Sequence, residues 1–188
     1  MRVIAGRAKG IQLQPVPGSG TRPISDRVKE SVFNILGNWI VGARVLDLFA
    51  GTGSVGIEAL SRGAAEATFV ERYPRAISVI RDNLRRTRLQ AEAHIVQADV
   101  FRYLEAEPEG FDLIYIAPPQ YQGLWKSTLL ALEANPGWLQ HHGLAIVQIF
   151  PKEYEPLSLV QLELTDERKY GSTLLCFYEP HLPPEELE

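Results

Sequence analysis

The run Val45-Leu46-Asp47-Leu48-Phe49-Ala50-Gly51-Thr52-Gly53-Ser54-Val55-Gly56 sets a carboxylate four residues ahead of a Gly-x-Gly-x-x-Gly turn. Glycines at this spacing let a chain turn tightly off a strand and let a nucleotide-like cofactor approach the backbone. The glycine spacing alone would also fit a Rossmann oxidoreductase, and Asp47 separates the two candidates. A carboxylate beside a pyrophosphate is unfavourable, whereas the sulfonium and ammonium of S-adenosylmethionine (SAM) are cations that a carboxylate attracts. Asp47, Phe49, Gly51, Thr52 and Gly53 are therefore the expected lining of a SAM site. Glu71, 24 residues after Asp47 and followed by Arg72, could accept both ribose hydroxyls. Asp99 could accept from the adenine amino group while Val100 packs on the ring; Asp99 also stands where a helix N-cap would stand.

These residues need strand ends and helix starts to hold them, and the pattern supplies both. From Arg44 onward short apolar runs alternate with helical spacing. Strands are expected at Val45–Phe49, Ala67–Val70, Ala93–Gln97, Phe111–Ile116 and Gly143–Ile149. Helices are expected at Ser54–Arg62, at Pro74–Thr87 with Arg75, Arg81, Arg85 and Arg86 outside, at Val100–Leu104 and at Leu124–Ala134. Leu157–Leu164 and Ser172–Tyr178 read as a terminal antiparallel pair. Such alternation predicts an α/β fold, a mostly parallel sheet with helices on both faces. Ahead of it, Arg2–Leu13 reads as a β-hairpin punctuated by Gly6 and Gly10. Residues 14–23 read as a loop, and Ser25 as the N-cap of a helix to Leu36. The expected organisation is an N-terminal hairpin and helix (1–43), a cofactor-binding domain (44–180) and an acidic tail (181–188).

The net charge of −4 conceals an asymmetry. Residues 1–44 hold seven basic side chains against Asp26 and Glu30, which is +5 and leaves −9 for the remainder. A basic docking arm on an acidic body is one expectation, and a solvated N-terminal segment is the other. The single cysteine, Cys176, lies in the apolar run Leu174–Tyr178, where a buried small hydrophobe is expected rather than a nucleophile. The four histidines are scattered and suggest no metal site. No apolar run reaches the roughly 18 residues of a membrane span. A monomer in the reducing cytoplasm, with no membrane partner, is expected.

Three stretches resemble one family in particular, the RsmD family of bacterial 16S ribosomal RNA (guanine-N2)-methyltransferases. They are Arg2-Val3-Ile4-Ala5-Gly6, the block from Thr21-Arg22-Pro23-Ile24-Ser25-Asp26-Arg27 through Leu36, and Arg168-Lys169-Tyr170-Gly171-Ser172-Thr173. The likeness runs over roughly residues 1–180. It implies a Rossmann-like class I SAM-dependent methyltransferase fold with seven strands, the last antiparallel. It also implies a SAM donor and a guanine of 16S RNA, free or in the small ribosomal subunit, as acceptor. Arg7, Lys9, Arg22, Arg27 and Lys29 then become expected phosphate contacts.

In that family an Asp-Pro-Pro-Tyr motif closes the fourth strand. Its carboxylate and a proline carbonyl accept from the exocyclic amine, and its aromatic ring stacks on the flipped base. Here Ala117-Pro118-Pro119-Gln120 stands in its place, with Tyr121 one residue further on. The prolines retain a rigid turn, but the Ala117 side chain can accept nothing. Tyr115 and Gln120 are the nearby groups that could substitute, and Tyr121 could offer a shifted stacking surface. Losing one positioned hydrogen bond costs about 1–3 kcal/mol, or roughly 5- to 150-fold in rate if borne by the transition state. The expectation is a guanine-N2 methyltransferase. Its alternative is a weak or inactive SAM- and RNA-binding relative acting in ribosome assembly.

Overall fold

A computed structural model describes residues 1–18 and 23–181. Arg22 and residues 182–188 of the expected tail lie outside the described residues. The seven strands take the order β3-β2-β1-β4-β5-β7-β6, defined below. The chain divides into two compact units, residues 1–100 and 101–188, and residues 1–43 fall within the first.

In the first unit, the Ser25 hydroxyl accepts from the Val28 amide at 3.2 Å and caps helix α1, Asp26–Leu36. Strands β1 (Arg44–Leu48), β2 (Glu66–Glu71) and β3 (Ala93–Gln97) pair in parallel, with Asp47 opposite Phe69 and Phe69 opposite Ile95. β1 and β2 are buried along almost their whole length, as parallel strands covered on both faces must be. Helix α2 (Ser54–Ser61) packs on β1 and β2, and α3 (Pro74–Thr87) on α2 and β3. A Cβ at Gly56 would lie 2.3 Å from the Phe69 ring, so α2 reaches β2 this closely only with glycine there.

The expected N-terminal hairpin forms, but it is short. One antiparallel bridge, Arg2 to Gln12, joins its arms, and the Val3, Gly10 and Leu13 amides donate across it to the Ile11, Val3 and Met1 carbonyls at 3.0, 2.8 and 3.1 Å. Toward its turn the amides are taken by α2: Ile4 and Ala5 donate to the Glu58 carboxylate at 2.9 and 3.1 Å, and Ala8 donates to the Ser61 hydroxyl at 2.9 Å. Gly6 holds φ 83°, and a Cβ there would fall 1.8 Å from the Ser61 carbonyl oxygen.

In the second unit, α4 (Val100–Leu104, whose first residue ends unit one) leads to β4 (Phe111–Ile116), which runs parallel to β5 (Leu139–Ile149). β7 (Thr173–Pro180) is antiparallel to both β5 and β6 (Leu162–Tyr170). Helix α5 (Leu124–Ala134) packs on β5. Trp138 is fully buried beside Phe111, and its indole donates to the Leu104 carbonyl at 3.2 Å. Two strand expectations shift. β5 starts at Leu139, four residues early, and β6 occupies 162–170 rather than 157–164. Among the described residues no helix is long and apolar enough to cross a membrane, and no three His, Cys, Asp or Glu side chains gather as a metal site.

Candidate active site

The glycine turn rises from the end of β1 into α2. Phe49 holds φ 59°, a left-handed backbone that a bulky aromatic residue rarely adopts. Gly51 and Gly53 follow at φ 57° and 77°. Above Gly51 there is open space, since a Cβ there would meet nothing nearer than the Phe49 carbonyl oxygen at 3.9 Å.

Two carboxylates sit beneath and beside this turn. Asp47 is 2% exposed and accepts from the Gly56 amide at 3.1 Å. Burial pushes its carboxyl up to about 8; the Gly56 bond opposes the rise and the Glu71 charge adds to it. Glu71, at the end of β2, accepts from the Gly51 amide at 3.0 Å and, through its other oxygen, from the Arg72 and Tyr73 amides at 2.8 and 3.0 Å. That carboxylate ties the turn to the next strand end. Asp99 is partly exposed and pairs with Arg72 at 3.8 Å, and the Arg72 guanidinium lies 4.9 Å from the Tyr73 ring centroid. Val100 is buried at the start of α4. The first unit thus gathers Asp47 and Glu71, from the ends of β1 and β2, about a turn made by Phe49, Gly51, Thr52 and Gly53, with Arg72 and Asp99 paired alongside.

The turn has a brace that the sequence reading missed. The Asn83 amide donates to the Thr52 carbonyl at 2.9 Å and to the Gln14 carbonyl at 3.1 Å, and its oxygen accepts from the Gln14 amide at 2.7 Å. The signal was there: Ala76, Ile80, Asn83 and Thr87 lie on one helical face, all buried.

Lys29, an expected phosphate contact, is instead completely buried. Its ammonium donates to the Arg2 carbonyl at 2.6 Å and the Ser54 hydroxyl at 2.9 Å, and pairs with Glu58 at 3.3 Å. Burial lowers its pKa and the Glu58 charge resists that fall. The cause is its register: Lys29, Val32, Phe33 and Leu36 form the inward stripe of α1. Arg7 is exposed but paired with Glu92 at 2.8 Å, and Lys9 and Arg27 are exposed.

In the second unit, Ala117, Pro118 and Pro119 are half-buried after β4, while Gln120 and Tyr121 are exposed. Tyr121 holds φ 60°, its amide donates to the Glu153 carboxylate, and its ring lies 5.7 Å from that of Phe150. Tyr115 is fully buried in β4 with its hydroxyl 2.6 Å from Gln148 Oε1, so it is already engaged.

A seven-strand sheet whose glycine turn sits between two strand-end carboxylates has the class I methyltransferase fold. The family model described as "Conserved hypothetical protein 95" matches residues 1–179, and the chain belongs to that family, the RsmD family. Ribosomal RNA small subunit methyltransferase D of Escherichia coli (strain K12) is 40% identical over 180 residues, 95% of this chain and 89% of the relative. The Haemophilus influenzae protein of the same name is 34% identical, over 79% of this chain and 78% of its own. Among solved structures, Escherichia coli YhhF superposes with a TM-score of 0.85 at 33% identity, covering 96% of this chain and 97% of that one.

Proposed function

We propose that this protein transfers a methyl group from SAM to the exocyclic N2 of a guanine in 16S ribosomal RNA. The observation that carries the reading is the glycine turn held between Asp47 and Glu71 in a chain of this family. The residues fit SAM by their chemistry. Gly51 leaves open space for a close approach, Asp47 is a buried carboxyl suited to a cationic ligand, and Glu71 supplies oxygens at the strand end for ribose hydroxyls. When bound, SAM supplies an electrophilic methyl on a sulfonium. In this reading Arg72, Asp99 and Val100 bind the adenosine side, and Phe49, Thr52 and Gly53 shape the turn.

The chain's own contribution to the chemistry is positioning, because the amine is itself the nucleophile. Pro118 and Pro119 keep a rigid turn whose carbonyls accept from the amine, and Gln120 and Tyr121, both exposed, meet the base. Ala117 withholds the carboxylate that would share the task. The test is transfer of labelled methyl from SAM to small-subunit particles assembled from unmodified 16S RNA, followed by nucleoside digestion. Labelled N2-methylguanosine is the expected product, and a different methylated nucleoside would overturn the N2 assignment.

Ala117 and Gln120 favour one second reading, a SAM- and RNA-binding relative that serves ribosome assembly without turnover. In that case wild type transfers no methyl while binding SAM, and Ala117→Asp creates activity.

A further inference from the structure

Four of the six described cations of residues 1–44 are ion-paired within the fold. Arg2 pairs with Asp26 at 3.7 Å, Arg7 with Glu92 at 2.8 Å, Lys29 with Glu58 at 3.3 Å and Arg44 with Glu66 at 2.6 Å. Of the described cations in this stretch, Lys9 and Arg27 are exposed and make no ion pair among the described residues.

Helix α3 is different. Five of the chain's 14 arginines, Arg75, Arg81, Arg85, Arg86 and Arg88, fall within 74–88 against one acid, Asp82, so this stretch carries +4 in a chain of −4. All five are exposed. Ala76, Ile77, Val79, Ile80 and Leu84 turn inward with Asn83 and Thr87, leaving the outer arc of the helix to guanidinium groups, Asp82 and Ser78. Arg81 and Arg85 stand one turn apart with Arg88 at the end of the same row, and Arg75 and Arg86 line the other edge of the arc. Arg85 pairs with Asp82 on the surface, and Arg86 donates to the Gln12 carbonyl at 3.3 Å and keeps its charge. Arg75, Arg81 and Arg88 make no ion pair among the described residues.

We propose that the exposed arginine face of α3, rather than the N-terminal stretch, is the principal surface by which this protein grips the phosphate backbone of its RNA. The proposal rests on the reading that RNA is the methyl acceptor. A 14-residue helix runs about 20 Å, long enough to meet several successive phosphates. Guanidinium groups engage phosphate oxygens in a two-pronged manner that lysine cannot match. The acidic remainder of the chain keeps the polyanion off the other faces.

The test is binding of unmodified 16S RNA between 50 and 200 mM salt by wild type, by the triple variant Arg81→Gln, Arg85→Gln, Arg88→Gln, and by the double variant Lys9→Gln, Arg27→Gln. Removing three phosphate contacts is expected to reduce the slope of log affinity against log salt by about 2–3 and to weaken binding on the order of 10- to 100-fold near 0.15 M salt. The loss should fall in KM for RNA rather than kcat, with SAM affinity at its wild-type value. The double variant is expected to lose less. A triple variant that binds with wild-type slope and affinity overturns the proposal, as does a larger loss in the double variant. Wild type that neither binds nor methylates the RNA overturns the functional reading and this one with it. Methylation by wild type and triple variant with the same KM for RNA overturns this one alone.

Discussion

Asp47 couples cofactor binding to pH. Burial holds its carboxyl near 8, so at pH 6 the free protein carries it protonated. The cations of SAM favour the carboxylate, so binding must release that proton. SAM affinity is therefore expected to climb by up to about tenfold per unit between pH 6 and 8 and to level off above. Calorimetric titration across that range checks it, and Asp47→Asn should flatten the profile. The same shift acts on stability. Because the folded-state pKa lies above the ordinary 3.8, the folded protein binds more protons than the unfolded chain across the interval. Stability is lost as pH rises from about 4 to about 8 and is unaffected by this group above that. Melting curves of Asp47→Asn should show a smaller decline over that window. At Ala117, installing Asp is expected to raise the single-turnover transfer rate by roughly 5- to 150-fold. Tyr115→Phe should leave that rate alone, because the Tyr115 hydroxyl is engaged with Gln148.

Elements show where local pattern sufficed and where it did not. β1, β2 and β4 were legible as short, mostly apolar runs of strand length, Val45–Leu48, Ala67–Val70 between two glutamates, and Leu113–Ile116, which suit strands of a parallel sheet covered on both faces. β6 was displaced in the reading because Glu163–Lys169 lacks an apolar face, and pairing to β7 is what makes it a strand. The apolar Leu157–Val160 drew the expectation away, although Val160 is exposed. At Lys29 charge and helical register point in opposite directions. Its i, i+3, i+4, i+7 spacing with Val32, Phe33 and Leu36 placed it inside, while its charge suggested the surface. Lys29→Met is expected to cost about 1–3 kcal/mol: it removes the ammonium from the Arg2 carbonyl, the Ser54 hydroxyl and Glu58, while Glu58 keeps the Arg62 guanidinium at 2.8 Å. At roughly 2–4 °C per kcal/mol for a chain this long, Tm should fall by at least about 2 °C. Gly56→Ala should cost about 1–3 kcal/mol by wedging α2 off the Phe69 ring, and thermal unfolding without ligand measures it.

For the whole molecule, the sheet and its cofactor turn could be read from residues close together in sequence, whereas the distribution of usable charge could not. Net charge along 1–44 suggested a basic arm, but the ion pairs that neutralise it join residues such as Arg7 and Glu92, 85 positions apart. Only folding reveals which arginines remain unspent. Ligand linkage supplies a global check on the functional reading. SAM at 100 times its Kd should stabilise by about 2.7 kcal/mol and raise Tm by roughly 5–10 °C, while NAD at the same concentration should not. The lone Cys176 suits the protein to such experiments. It is completely buried in β7, and burial pushes its thiol up to about 12. A maleimide dye offered to the native protein should therefore react only through opening of the sheet, making labelling rate a clock for unfolding. A second cysteine placed at Arg85 could be labelled selectively in the same molecule, giving a fluorescent reporter on α3 without first removing the native thiol.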